Sequence, residues 1–248
     1  MFLRFSHILS LFLILGMPAH AQAPPDAIPL LHAWLASQAD AFGHTTGFVI
    51  TERADRTADS PYGSHKMQVE TEVSGKLGSD AWERRILSVR VNGKEAPKKR
   101  WEAMERAWHS SMMPAFVRMA QALSLPANRL KGLLPTGRVV EDQVDGVACW
   151  RFDAIPRSSR RPMERVTFWF GQGDGRLVRT SAVFSSQSGH HEPVSTLVAT
   201  LDYQRDSGID IPQKRHLVGT RQIVRRGSVF TVQVTLDAAY SDFRIIAD

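Results

Sequence analysis

Residues 137–155 read GRVVEDQVDGVACWRFDAI: two runs rich in apolar, β-branched or aromatic residues, joined by Asp145-Gly146. An Asp-Gly pair between such runs is a strong hairpin signal, because its backbone twist suits two antiparallel strands. The pattern continues downstream. ERVTFWF (164–170) and RLVRTSAVFSS (176–186) flank the turn GQGDG. STLVATLDYQRD (195–206), QKRHLVGTRQIV (213–224) and SVFTVQVTLDAAYSDF (228–243) are separated by SGIDIP and RRG. Each run ends in a Gly-, Asp- or Pro-containing turn. A nucleotide-binding α/β fold would instead alternate strands with helices.

Within these runs the side chains alternate. Phe230, Val232, Val234 and Leu236 face one way, as do Leu197, Ala199, Leu201 and Tyr203. VTFWF is apolar on both faces, which predicts a strand covered on each side. Upstream, GFVITERA, KMQVETEV and WERRILSVRVNG read as strands, the second with Met67, Val69 and Val73 opposite a wet face. That makes about three strands before the middle of the chain and about seven after it. A helix is predicted after Pro24-Pro25-Asp26, with Leu30, Leu31, Trp34, Leu35 and Phe42 on one face, Gln38 interrupting it and Gly43 closing it. Residues 97–125 read as a helical insert. There Trp101, Met104, Ala107 and Trp108 recur at helical spacing, and Pro114 opens a second helix carrying Phe116, Val117, Met119, Ala120 and Leu123. PANRLKGLLPTG reads as a loop into the last sheet. The fold class is α+β: one strongly curved antiparallel sheet whose concave face is covered by helices.

Residues 1–21 carry Arg4, the apolar stretch ILSLFLIL and the cleavage pattern Ala19-His20-Ala21, as a secretory signal does. The apolar stretch is far below the roughly 20 residues that span a bilayer. The expectation is export to the periplasm, with residues 22–248 as one soluble domain. No cysteine lies near the cleavage site, so lipid anchoring is not expected. Cys149 is the sole cysteine of the 248 residues, which excludes an intramolecular disulfide and predicts a small buried side chain. The chain holds 31 Lys+Arg against 25 Asp+Glu, clustered at Lys98-Lys99-Arg100, Arg157 to Arg161 and Arg225-Arg226. A dispersed charge of this size without a recognition motif predicts no nucleic-acid partner. A solvated face or a preference for anionic membranes and acidic ligands accounts for it.

VDGVACWRF (144–152), VTFWFGQGDGRLVR (166–179), GIDIP (208–212) and YSDF (240–243), behind a signal peptide, a first helix and a helical insert, resemble the periplasmic lipoprotein-sorting superfamily. That superfamily takes in LolA-like carriers, LolB-like receptors and RseB/MucB-like sensors. The resemblance implies an open half-barrel of about eleven strands with a helical lid over an apolar interior. It implies lipid or lipoprotein acyl chains as cargo and a membrane-associated donor or acceptor protein, handled by a monomer without cofactor or catalysis. Trp101, Met104, Trp108, Met112, Met113, Phe116, Met119, Phe168 and Phe170 are the candidate cleft residues, the methionines supplying adaptable surface. Ordinary packing between helix and sheet is the alternative role for the same side chains. An envelope sensor or scaffold that grips a protein through Arg157, Arg160 and Arg161 is the second functional reading. A hydrolase using His190-His191-Glu192 is the third. Adjacent histidines on a Ser/Gly-rich loop lack the i, i+4 spacing of a helical metal site, and no G-x-S-x-G elbow is present.

Overall fold

A computed structural model of the chain describes residues 24–42, 45–76, 82–99, 101–102, 133–157, 163–186, 195–225 and 228–247. The signal-like segment, most of the helical insert, Arg160, Arg161 and the His190–Glu192 loop lie outside the described residues.

One helix, α1 (Ala27–Phe42), precedes four strands: β1 (Thr45–Ser60), β2 (Gly63–Lys76), β3 (Trp82–Val91) and the two-residue β4 (Lys94–Glu95). Seven more follow: β5 (Leu133–Val144), β6 (Val147–Pro156), β7 (Met163–Gly171), β8 (Leu177–Ser186), β9 (Ser195–Asp206), β10 (Ile209–Arg225) and β11 (Ser228–Ala247). All eleven form a single sheet in the order β4-β3-β2-β1-β11-β10-β9-β8-β7-β6-β5. Neighbours pair antiparallel throughout, and the sheet does not close. The expected single, open antiparallel sheet is therefore present, with α1 packed on part of one face, while most of the insert expected to complete the helical cover lies outside the described residues. Backbone at 98–99 and 101–102 is helical. Among the described residues no helix is long and apolar enough to cross a membrane.

Every strand except β1 and β11 pairs only with its sequence neighbours, so local turns build most of the sheet. The Asp145-Gly146 and Ser207-Gly208 turns have positive φ at both positions, as a two-residue hairpin twisted to match its strands requires. GQGDG is likewise a strand-to-strand turn. The one non-local pairing is β1 with β11, which joins the first strands to the last.

Three boundaries differ from expectation, the first being β10, which begins at Ile209, so IDIP of the stretch read as a turn pairs with β9 and buries Ile209 and Ile211. β1 continues past GFVITERA through Asp55–Ser60, because Ala54 and Ala58 alternate inward while Asp55 and Asp59 face water between two long partner strands. LLPTG, read as loop, opens β5. β5 is an edge strand, and an edge tolerates Pro135 and the Gly137 irregularity between Thr136 and Val140.

Candidate functional site

The face of the sheet under α1 is assembled row by row from the strand registers. One row runs Val69, Ala54, Ala238, Arg215, Leu201, Thr180, Phe168 and Phe152 across β2, β1, β11, β10, β9, β8, β7 and β6. The next runs Met67, Arg56, Leu236, Leu217, Ala199, Ala182, Val166 and Ala154. This inner face has two parts of different character.

Over β5–β9 it is filled. Leu31, Trp34 and Leu35 of α1 join Trp150, Phe152, Val166, Phe168, Phe170, Ala182, Leu201 and Tyr203 in one buried cluster. The rings of Phe152, Phe168 and Phe170 stack at 5.3–6.1 Å, and Trp34 meets Phe170 edge-on at 5.7 Å. Tyr203 lies within hydrogen-bond distance (3.3 Å) of the Thr180 hydroxyl, and burial pushes its phenol well above the ordinary range.

A polar clamp ties α1 to this half. Asp210 Oδ2 accepts from Trp34 Nε1 at 2.8 Å, from the Leu177 backbone N–H at 2.8 Å and from Arg205 Nη2 at 2.9 Å. Oδ1 takes a further bond from Arg205 Nε at 2.7 Å. The Asp210 backbone N–H donates to Gln38 Oε1, and Gln38 Nε2 donates to the Gly208 carbonyl. The single polar break in the apolar face of α1 is thus a tether, and the buried carboxylate is fully partnered.

Over β10, β11, β1 and β2 the inner face is mainly small and branched side chains, Ala54, Ala58, Val69, Val232, Val234, Leu236 and Ala238, with Met67 and Arg56 among them. None belongs to the cluster around α1. Gly219 continues the strip, and a Cβ there would run into the Thr196 carbonyl and lie 2.6 Å from Leu197 Cδ2. Set into the strip is a buried ion pair, Arg215 Nη2 to Glu52 Oε2 at 3.1 Å, both side chains at most 5 % exposed. Thr71 donates to the Glu52 carbonyl at 3.4 Å, and Arg215 lies 6.0 Å from the Tyr240 ring centre. Burial is the largest influence and opposes the charge of Arg215, but Glu52 and Tyr240 together hold the guanidinium above its ordinary value. A few polar groups on a largely apolar wall is the usual make-up of a small-molecule site.

Phe168 and Phe170 are fully buried under α1. Trp101 packs on the second cluster, Val69, Ile86, Val89 and Ala96, and its Nε1 donates to the Ala96 carbonyl at 2.9 Å. Met104, Trp108, Met112, Met113, Phe116 and Met119 lie outside the described residues. The segment that carries them leaves the sheet after β4 and returns at β5, the two opposite edges. Glu52 and Arg215 were missed because charged residues in strands read as a wet face. The available signal was parity: Glu52 falls between Ile50 and Ala54, and Arg215 two before Leu217.

On the outer face Trp169 covers Val144, Cys149 and Val178, so the strand predicted to be covered on both sides is so. Cys149 is buried there, as expected of a small apolar side chain, and burial pushes its thiol up.

No family model matches the sequence, and no curated protein does either. Among solved structures the chain is similar to a LolA superfamily protein from Nitrosomonas europaea, at 12% identity and a TM-score of 0.35, over 90% of this chain and 94% of that one. It is similar to a DUF1329 family protein from Desulfovibrio piger at 11% identity and a TM-score of 0.39, over 89% and 94%. The MucA/MucB complex of Pseudomonas aeruginosa matches at 9% identity and a TM-score of 0.20, over 88% and 99%. Of the three groups named by the sequence resemblance, LolA-like and MucB-like proteins are among these chains.

Proposed function

We propose that this chain is an exported, non-catalytic binding protein that takes lipid or lipoprotein acyl chains on the inner face of β10, β11, β1 and β2. The observation that carries this reading is the division of that face. α1 and large aromatics fill the β5–β9 half, whereas the other half is walled mainly by Ala, Val and Leu, with Met67, Arg56 and the Glu52–Arg215 pair among them. Covering an acyl chain yields about 0.8 kcal/mol per methylene without directional contacts, so small apolar side chains on an unclosed sheet suit it. Glu52 and Arg215 would orient the polar end of the cargo. Trp101, Met104, Trp108, Met112, Met113, Phe116 and Met119 would supply the opposing wall, their segment running from one sheet edge to the other.

Native mass spectrometry of the purified protein and titration with a fluorescent fatty acid test the proposal. Saturable binding that Val234→Trp or Ala54→Phe abolishes, with the melting temperature kept, is the expected result. Absence of both bound lipid and probe binding would overturn it. A protein partner recovered through Arg157, with no lipid bound, would then favour the scaffold reading.

A further inference from the structure

Glu52 and Arg215 stand on strands that are not neighbours. β11 lies between β1 and β10, with Tyr240 opposite Glu52 and Ala238 opposite Arg215. The guanidinium passes over the small Ala238 side chain to reach its carboxylate at 3.1 Å. β-Bulges gather around this pair. Gln213 is the extra residue of β10, two before Arg215; Leu87 is that of β3, beside the Thr71–Ile86 pairing; Asp242 and Phe243 of β11 stand against Ile50 alone. A bulge bends its strand and re-aims the side chains beside it, and such bulges are over-represented next to active sites.

The inner face differs on the two sides of the pair. Toward Thr45 it holds large side chains: Ile50 and Phe48 are buried, and Phe48 packs on Phe243 at 6.1 Å between ring centres. Toward Ser60 it holds mainly small ones, Ala54, Ala58, Val232 and Val234, with Arg56 and Met67 beside them. From Glu52 to Ser60 that side extends about 26 Å at the ordinary strand rise, against roughly 15 Å for the acyl layer of one bilayer leaflet.

We propose that the Glu52–Arg215 pair selects acyl cargo with an uncharged polar end that both donates and accepts hydrogen bonds, a glycerol ester or a fatty amide, and that the hydrocarbon runs from the pair toward the β1–β2 turn. This selection rests on the acyl-binding reading of the strip, to which it adds a cargo class and an orientation. Both side chains are at most 5% exposed, so a group that meets them lies where net charge is costly. An anionic end would compete with Glu52 for the guanidinium and leave one carboxylate uncompensated. An uncharged end accepts from Arg215 and donates to Glu52, both charge-assisted bonds, while the pair stays balanced. Arg56, further along β1, is the competing feature, since an anionic end held there would forgo both the selection and the orientation.

Displacement of a fluorescent fatty acid by monopalmitoylglycerol, palmitamide and palmitate, at about pH 9 where the carboxyl is ionised, tests it. The double variant Glu52→Leu, Arg215→Met keeps only the hydrocarbon contacts and so supplies the baseline for partition into an apolar strip. Relative to that baseline, the wild-type chain should prefer the two uncharged ligands over palmitate by about tenfold or more. Glu52→Gln removes the competing carboxylate and should turn the preference toward palmitate, a gain that misfolding does not produce. A nitroxide on the terminal carbon of the fatty amide should broaden the Val232 and Val234 methyl NMR signals and spare Ile50. An equal ratio in wild type and double variant, a Glu52→Gln chain that still disfavours palmitate, or broadening at Ile50 in place of Val232, would overturn the proposal while leaving acyl binding intact. A chain that binds none of these ligands overturns the acyl-binding reading and this selection with it.

Discussion

The indole N–H of Trp34 donates to Asp210 Oδ2 at 2.8 Å, joining two residues 176 positions apart. This bond, with the Gln38 contacts beside it, seats the helix on the filled half of the inner face. Removing the acceptor leaves the Trp34 and Leu177 donors and the Arg205 guanidinium without their shared partner. Asp210→Ala should cost about 3 kcal/mol or more, and Trp34→Phe, which also trims ring packing, at least about 1 kcal/mol in urea unfolding.

Glu52 and Arg215 make the complementary case on the apolar strip. Glu52→Ala alone should destabilise by roughly 3–5 kcal/mol, because it strands a buried cation. The double variant Glu52→Leu, Arg215→Met should recover most of that loss, since well-packed apolar side chains avoid the desolvation of both charges. A double-mutant cycle from denaturation curves measures the coupling. Under the proposed function the double variant should still bind the hydrocarbon part of a probe while losing preference among headgroups.

Gly219 admits no side chain. The Thr196 backbone stands where a Cβ would go, so Gly219→Ala should destabilise by about 1–3 kcal/mol. Thermal unfolding of the variant checks this, with an exposed strand substitution such as Gln233→Ala as reference.

Acid sensitivity has one assignable source on the outer face. The Trp169 N–H, at 2.9 Å, is the largest of the influences that hold the Asp142 carboxyl below its ordinary value, followed by the Gln143 backbone N–H and by Arg151. A carboxylate depressed in the folded state contributes stability above its unfolded pKa and loses it as pH falls through the folded one. Trp169→Phe should therefore raise the Asp142 titration midpoint in a carbon-detected NMR titration. The part of its destabilisation that comes from this bond should shrink as pH falls below the variant's midpoint and vanish only below the lower wild-type one.

Cys149 is fully buried, donates to the Val147 carbonyl at 3.3 Å, and has a thiol pushed up by burial. Native protein should resist thiol reagents at neutral pH, and labelling should follow global unfolding as denaturant rises. Rapid labelling without denaturant would contradict the packing of Val144, Cys149 and Val178.

What the sequence by itself determined is everything with a short period. Alternation of Leu197, Ala199, Leu201 and Tyr203 marked their inner face; Asp145-Gly146 and Ser207-Gly208 marked their turns; Trp34 and Leu35 marked the buried side of the helix. These are legible because pleat, turn and helix act over two to four residues. The extent of β1 and the start of β5 were misjudged where a partner strand or a free edge overrides local composition. Only the tertiary structure decided that β1 pairs with β11, that Asp210 receives Trp34, and that Glu52 meets Arg215 on the inner face. Each of these contacts spans most of the chain, and nothing in a local pattern encodes which distant partner will desolvate a charge or complete its hydrogen bonds.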